Sequence, residues 1–125
     1  DGFKALNDVA GHAAGDALLV ALARALQSAV RADDAVGRFG GDEFLVLAGV
    51  HDVPGAHKLA AHLLDAVHAC AATFPAAQSV SASIGYALAP GDATKAMDLL
   101  RLADSAMYAA KRAGKSRVVH CLDAP

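Results

Sequence analysis

The sequence predicts an α+β fold, in which a mainly antiparallel or mixed sheet is covered by helices. Three observations carry that expectation. Leu18, Leu22, Leu26 and Val30 recur at a four-residue spacing, as on one stripe of a helix. The apolar runs Ala35 to Phe39 and Phe44 to Ala48 flank Gly40-Gly41, as strands flank a tight reversal. Ser79, Ser81 and Ser83 alternate with Val80, Ala82 and Ile84, the period-two pattern of a half-buried strand.

Taken in order, the elements follow from local chemistry. Asp1-Gly2-Phe3-Lys4 has the character of an exit from a preceding strand, so one sheet element, the first strand, is expected upstream of Asp1. The first helix runs from Gly11 to Arg31, with Arg24, Gln27, Ser28 and Arg31 off its apolar stripe. The hairpin over Ala35 to Ala48 carries Asp42 and Glu43 at its tip. Asp52 can cap free N–H groups and Pro54 suits a first turn, which opens a helix to about Cys70; Thr73 and Pro75 end it. A strand over Val80 to Leu88 is closed by a turn at Gly91-Asp92. The last long helix presents Leu99, Ala103, Met107 and Ala110 and stops at Gly114, a natural left-handed C-terminal residue. Arg117 to Leu122 is the final strand. No repeat, low-complexity run or linker interrupts residues 1–125, so one domain is expected.

Composition narrows the functional classes. With 125 residues, 55% hydrophobic and 19% charged, the chain can bury one core. A net charge of -2 gives no global basic field, so DNA is not an expected partner and any anion site must be a local cluster. Cys70 and Cys121 lack CxxC spacing and suit reduced thiols of a cytoplasmic protein. Apolar stretches such as Leu59 to Ala72 are broken by His62, Asp65 and His68, so no membrane segment or leader is expected. His57, His62 and His68 lack the i, i+4 spacing that sets two imidazoles on one helical face, so a zinc site is not indicated. The three alternating serines have no histidine and acid pattern around them, and a hydrolase triad is not indicated either.

The chemistry concentrates at the hairpin tip. Gly40-Gly41-Asp42-Glu43-Phe44 sets two adjacent carboxylates beside a turn with no side chains to shield them. Mg²⁺ takes hard oxygen ligands, commonly one or two carboxylates with phosphate and water, and such a tip suits it. The same five residues also suit a merely solvated turn, and alone they leave both readings open.

Their context resembles the GGDEF family, which is named for this motif. Asp1-Gly2-Phe3-Lys4-Ala5-Leu6-Asn7-Asp8, Gly11-His12 and Gly15-Asp16 are similar to the family's pattern after its first strand. Ser81-Ala82-Ser83-Ile84-Gly85, Ala103-Asp104, Met107-Tyr108, Ala110-Lys111, Gly114-Lys115 and Arg117 are similar to its C-terminal half. The resemblance implies a nucleotide-cyclase, palm-like fold with a ferredoxin-like core. It also implies a diguanylate cyclase that condenses two GTP into cyclic di-GMP and pyrophosphate, with Mg²⁺, or Mn²⁺ in its place, as cofactor. Asn7 and Asp16 match the family's guanine-binding pair; a carboxylate can accept from guanine N1–H and N2–H₂, which adenine lacks. From the residues alone, Asp16 also suits a helix N-terminus and Asn7 a local cap. Asp42 matches a metal ligand, and Glu43 its neighbour at the second metal or the attacking 3′-hydroxyl. Gly40 and Gly41 complete the substrate loop, and Lys4, Lys111 and Lys115 match the basic groups around the triphosphate. Lys115 departs from the family's usual Arg, which weakens a bidentate phosphate contact. Arg31-Ala32-Asp33-Asp34 matches the RxxD inhibitory site, where Arg31 and Asp34 would hold the product; a surface ion pair is the alternative for so short a motif.

The resemblance further implies another metal carboxylate two residues before the position of Asp1, on the first strand. It implies a homodimer, since each subunit holds one GTP, and an upstream sensory domain that drives dimerisation. Two rivals predict other outcomes: a binding module retaining GTP or cyclic di-GMP without turnover, and a cyclase making a 3′,5′-cyclic mononucleotide.

Overall fold

A computed structural model describes residues 1–77 and 79–124. The order is α1 (Phe3–Ala10), α2 (His12–Ala29), β1 (Ala35–Gly40), β2 (Glu43–Leu47), α3 (Val53–Ala72), β3 (Ser83–Tyr86), α4 (Ala96–Arg112) and β4 (Arg117–His120). Short 3-10 turns lie at Pro75–Ala77 and Cys121–Asp123. The α+β class is as expected. The chain forms two compact units: Asp1–Gly49 with Asp65–Ser81, and Val50–Leu64 with Ala82–Pro125.

In the first unit, Leu18, Leu19, Leu22 and Leu26 of α2 are buried together with Leu6, Val67, Ala71, Ala77 and Val80. The four-residue stripe is therefore the core-facing side of α2, with Val30 half-buried at its end. β1 and β2 pair antiparallel from Ala35↔Leu47 to Gly40↔Glu43, with a register shift between Arg38 and Gly40. In the second unit, β3 and β4 pair parallel, from Ser83↔Arg117 to Tyr86↔His120. Parallel strands need a long crossover, and α4 supplies it. Among the described residues the strands thus form two separate two-stranded sheets.

The start of α3 is built as its residues suggest. The Gly55 N–H donates to Asp52 Oδ1 at 2.7 Å, satisfying one of the free donors of the first turn. Ala56, Ala60, Leu63, Val67 and Ala71 then form its buried stripe. α4 ends in two reverse hydrogen bonds, Gly114 N–H to the Lys111 carbonyl and Lys115 N–H to the Ala110 carbonyl, around Gly114 at φ 120°. That pattern is the Schellman ending, and it needs a residue tolerant of positive φ at Gly114.

Three elements differ from expectation. Residues after Gly2 form α1 instead of continuing an extended exit; Gly2 turns the chain at φ 80° and the Gly11 N–H closes the helix on the Asn7 carbonyl. With eight residues and only Leu6 buried, α1 is too short to display a stripe. Asp1 itself keeps strand-like pairing, its amino group donating to the Ser81 carbonyl at 2.9 Å and its carbonyl accepting from the Ser81 N–H at 3.1 Å. The strand predicted over Val80 to Leu88 shrinks to Ser83–Tyr86, because Ser81 pairs with Asp1 and the Leu88 N–H donates to the Asp92 carboxylate at 2.8 Å. The last strand stops at His120, where the backbone turns into a 3-10 helix.

Candidate functional site

At the hairpin tip, Gly41 adopts φ 51°, a region L side chains rarely enter, and this lets β1 reverse into Glu43. A side chain at Gly40 or Gly41 would meet nothing within 4 Å, so the tip is open space. Asp42 and Glu43 both lie exposed there. Arg38, which the sequence analysis did not single out, donates from Nε to the Gly41 carbonyl at 2.7 Å and braces the turn. Its signal was faint: a basic residue two positions before the Gly-Gly pair.

The same unit holds the α1–α2 corner. Gly15 is buried at the start of α2, and a Cβ there would overlap Asn7 Oδ1 and approach Phe3 Cζ to 3.1 Å. Glycine at this position is therefore what lets the Asn7 amide lie against the helix. Asn7 Oδ1 is buried with no hydrogen-bond partner among the described residues, an arrangement that costs about 1–3 kcal/mol unless a donor reaches it. Asp16 follows directly and is exposed, as is Lys4 on α1. Asn7 and Asp16 are thus brought to one corner by the packing of Asn7 on Gly15.

Arg31 and Asp34 lie in the loop before β1. The Asp34 carboxylate accepts from the Arg31 N–H at 3.0 Å and from the Gly49 N–H at 3.1 Å, tying both ends of the hairpin together. The Arg31 side chain is exposed beside it. Asp34 therefore has a local structural role that the RxxD spacing did not announce.

Lys111 and Lys115 belong to the second unit. The Lys111 ammonium stands 5.9 Å from the Tyr108 ring centroid, within cation–π range. Lys115 at φ 64° and Ser116 at φ 48° hold the left-handed turn that follows Gly114, and Arg117 Nε donates to the Lys115 carbonyl at 3.0 Å.

The second unit also contains a polar cluster that sequence spacing missed. Asp92 Oδ2 lies 2.7 Å from His120 Nε2, and both side chains are only 6% exposed. Burial alone would raise the Asp92 pKa; the hydrogen bonds from His120, the Leu88 N–H and Cys121 together outweigh it and hold the carboxyl below its usual value. Burial, then the Asp92 hydrogen bond and charge, push the Cys121 thiol up to about 11. Tyr86 stacks on His120 with centroids 4.8 Å apart and planes within 5°, and its hydroxyl meets His57 Nδ1 at 3.0 Å. Burial, followed by the charges of Asp123, Asp92 and Cys121, raises the Tyr86 phenol.

A groove of about 200 Å³ in the first unit runs between α2 and the hairpin, lined by Leu19, Val20, Ala23, Val36 and Phe44 among others. None of the residues assigned to nucleotide lines it. The open hairpin tip suits Mg²⁺: two adjacent, exposed carboxylates offer hard oxygens and leave room for phosphate and water.

The comparisons with known proteins agree on one family. Residues 1–117 match the family model described as diguanylate cyclase, GGDEF domain. The chain is 41% identical over 116 residues to the bifunctional diguanylate cyclase/cyclic di-GMP phosphodiesterase MucR of Pseudomonas aeruginosa, covering 93% of this chain and 17% of MucR. It is 35% identical over 116 residues to the cyclic di-GMP phosphodiesterase NbdA of the same organism, covering 93% of this chain and 15% of NbdA. The chain therefore spans only a small part of the curated relatives it matches. An EAL/GGDEF domain protein from M. capsulatus superposes with a TM-score of 0.80 at 41% identity, over 100% of this chain and 80% of that one.

Proposed function

Because the chain belongs to the GGDEF family of diguanylate cyclase domains, we propose that residues 1–125 are a cyclase module that condenses two GTP into cyclic di-GMP and pyrophosphate, the 3′-hydroxyl of each attacking the α-phosphate of the other. The observation that carries this reading is the pairing, within one compact unit, of an open tip bearing Asp42 and Glu43 with a corner where Asn7 Oδ1 is buried and lacks a partner among the described residues. In this reading Asn7 and Asp16 select guanine by accepting from its N1–H and N2–H₂ edge. Lys4 offsets triphosphate charge, and the Gly40-Gly41 turn lets the nucleotide approach the backbone. Asp42 and Glu43 hold Mg²⁺, or Mn²⁺ in its place, and Glu43 also stands as acceptor for the proton of the attacking hydroxyl. The bound ion supplies charge neutralisation for phosphoryl transfer. Positioning is the protein's own contribution, and because each subunit brings one GTP, two modules must meet as a homodimer. An attached sensory domain in the whole protein would set that encounter.

Arg31, with Asp34, is proposed to hold cyclic di-GMP at an inhibitory site, its guanidinium pairing with phosphate. Since Asp34 already accepts two backbone N–H groups, Arg31 carries the test. Arg31→Ala should leave initial velocity intact and relieve inhibition by accumulated product; unchanged inhibition removes this assignment alone.

The activity is tested by incubating the protein with GTP and Mg²⁺ and separating the products by chromatography. Cyclic di-GMP and pyrophosphate are expected; a 3′,5′-cyclic mononucleotide would overturn the condensation. A second reading, a module that binds nucleotide without turnover, is favoured by the similarity to NbdA, whose name carries only phosphodiesterase activity. Nucleotide binding with no product in the same experiment would decide for it.

A further inference from the structure

Asp92, His120 and Cys121 present a carboxylate oxygen, an imidazole nitrogen and a thiol sulfur that all lie within 4.8 Å of one another. None of the three belongs to the residues assigned to GTP or Mg²⁺. We infer that this cluster is a second metal site, one that takes Zn²⁺ through Asp92, His120 and Cys121 and leaves a fourth position to water.

The chemistry of the donors selects the ion. Zn²⁺ binds sulfur at ~2.3 Å, imidazole nitrogen at ~2.0–2.1 Å and carboxylate oxygen at ~2.0–2.2 Å, so a tetrahedral set keeps its ligands ~3.3–3.7 Å apart. The spread seen here brackets that spacing: 2.7 Å between Asp92 and His120, and no pair beyond 4.8 Å. A sub-ångström opening of the Asp92–His120 pair would admit the ion. Mg²⁺ prefers all-oxygen shells and does not suit a site with sulfur and nitrogen.

The surroundings orient the ligands as outer-shell partners do in metal sites. Tyr86 stacks flat on His120 and fixes the plane of its ring. The Leu88 N–H holds Asp92 Oδ2 at 2.8 Å. β3 and β4 pair Tyr86 with His120 in register, so the stack and the ligand ride on one ladder. The pair is 6% exposed, whereas Cys121 is half-buried, which gives the ion an approach from the Cys121 side.

Binding balances simply. The Cys121 sulfur exchanges its proton for zinc and that proton leaves to solvent. The imidazole moves its Nε2 proton to Nδ1 through water, with no net loss. Asp92 exchanges the hydrogen bonds from His120 and Cys121 for a bond to the ion.

Co²⁺ is the probe, because a thiolate ligand gives it a near-ultraviolet charge-transfer band that oxygen ligands at the hairpin tip cannot produce. The full chain, titrated with Co²⁺ in excess Mg²⁺, should develop that band to one equivalent and lose it to one equivalent of Zn²⁺. The chain has two cysteines, so Cys70→Ser must keep the band, which leaves Cys121 as the thiolate. Cys121→Ser should abolish the band, and Asp92→Asn or His120→Gln should weaken Co²⁺ binding more than ~10-fold. Absence of the band in the wild-type chain, its loss in Cys70→Ser, or its survival in Cys121→Ser overturns the site. Because the wild-type and Cys70→Ser titrations decide on their own, the test stands even if a Cys121 variant does not fold.

Discussion

The hairpin tip and the β3–α4 junction use the same residue types to opposite ends. At the tip, Gly40 and Gly41 face open space, and Gly41 is needed for its positive φ. At the junction, a Cβ on Gly85 would overlap Met107 N and the Ala103 carbonyl and come within 2.7 Å of the Ala106 carbonyl carbon, so glycine is needed for close approach of strand and helix. The acids divide in the same way. Asp42 is exposed to solvent, whereas the Asp92 side chain is only 6% exposed and is bonded to His120, to the Leu88 N–H and to Cys121. The tip leaves its carboxylates unpaired and open to solvent, whereas the Asp92 carboxylate is engaged inside the fold, where an ion would have to exchange for the hydrogen bond from His120.

That contrast can be broken first at Asp42. If Asp42 holds the metal as proposed, Asp42→Ala should lower cyclic di-GMP formation at least ~100-fold, since a metal ligand is worth several kcal/mol in such a reaction. Its thermal midpoint should stay near that of the wild type, an exposed change being worth within about 0.5 kcal/mol. A large stability loss would show that the tip is structural. Gly85→Ala should do the reverse, destabilising by about 3 kcal/mol and lowering the midpoint by roughly 10 °C, because the atoms it meets are backbone and cannot rotate away. A tolerated Gly85→Ala would mean that β3 and α4 are not in close contact.

Gly15→Ala sharpens the comparison inside the first unit. Its Cβ would push the Asn7 amide aside, so KM for GTP should rise about tenfold, roughly 1.4 kcal/mol, with kcat less affected. An unchanged KM would remove Asn7 from guanine recognition. Arg38→Ala should lower kcat about fivefold, near 1 kcal/mol, by releasing the Gly41 carbonyl that holds the tip. The smallest effect is expected at the exposed Arg101–Asp98 pair, with side chains 75% and 42% exposed: Arg101→Ala should change stability by less than about 0.5 kcal/mol in a denaturant titration.

Much of the fold was legible because its causes are local. The α2 stripe, the Asp52 cap of α3, the Gly-Gly reversal and the Gly114 ending each depend on residues within a turn or two of one another. α1 escaped because one buried leucine in eight residues makes no period. The tip carboxylates and the Asn7–Asp16 pair were legible through motif and resemblance, but the contact of Asn7 with Gly15 was not. The hydrogen bond from Arg38 was invisible because any basic residue in a strand looks solvated in sequence. Asp34, read for its spacing to Arg31, turned out to tie the loop to Gly49, fifteen residues away.

By itself the order of residues determined the helical stripes, the turns, the caps and the acidic tip, because hydrogen bonds and torsional preferences over a few residues decide those. Tertiary structure alone decided that Asp92 meets His120 across 28 positions, that Tyr86 stacks on that same ring, and that Gly85 touches α4. The reason is the parallel register of β3 and β4: it aligns Tyr86 with His120 only once α4 has crossed over and packed, and no local preference in either strand encodes that partner.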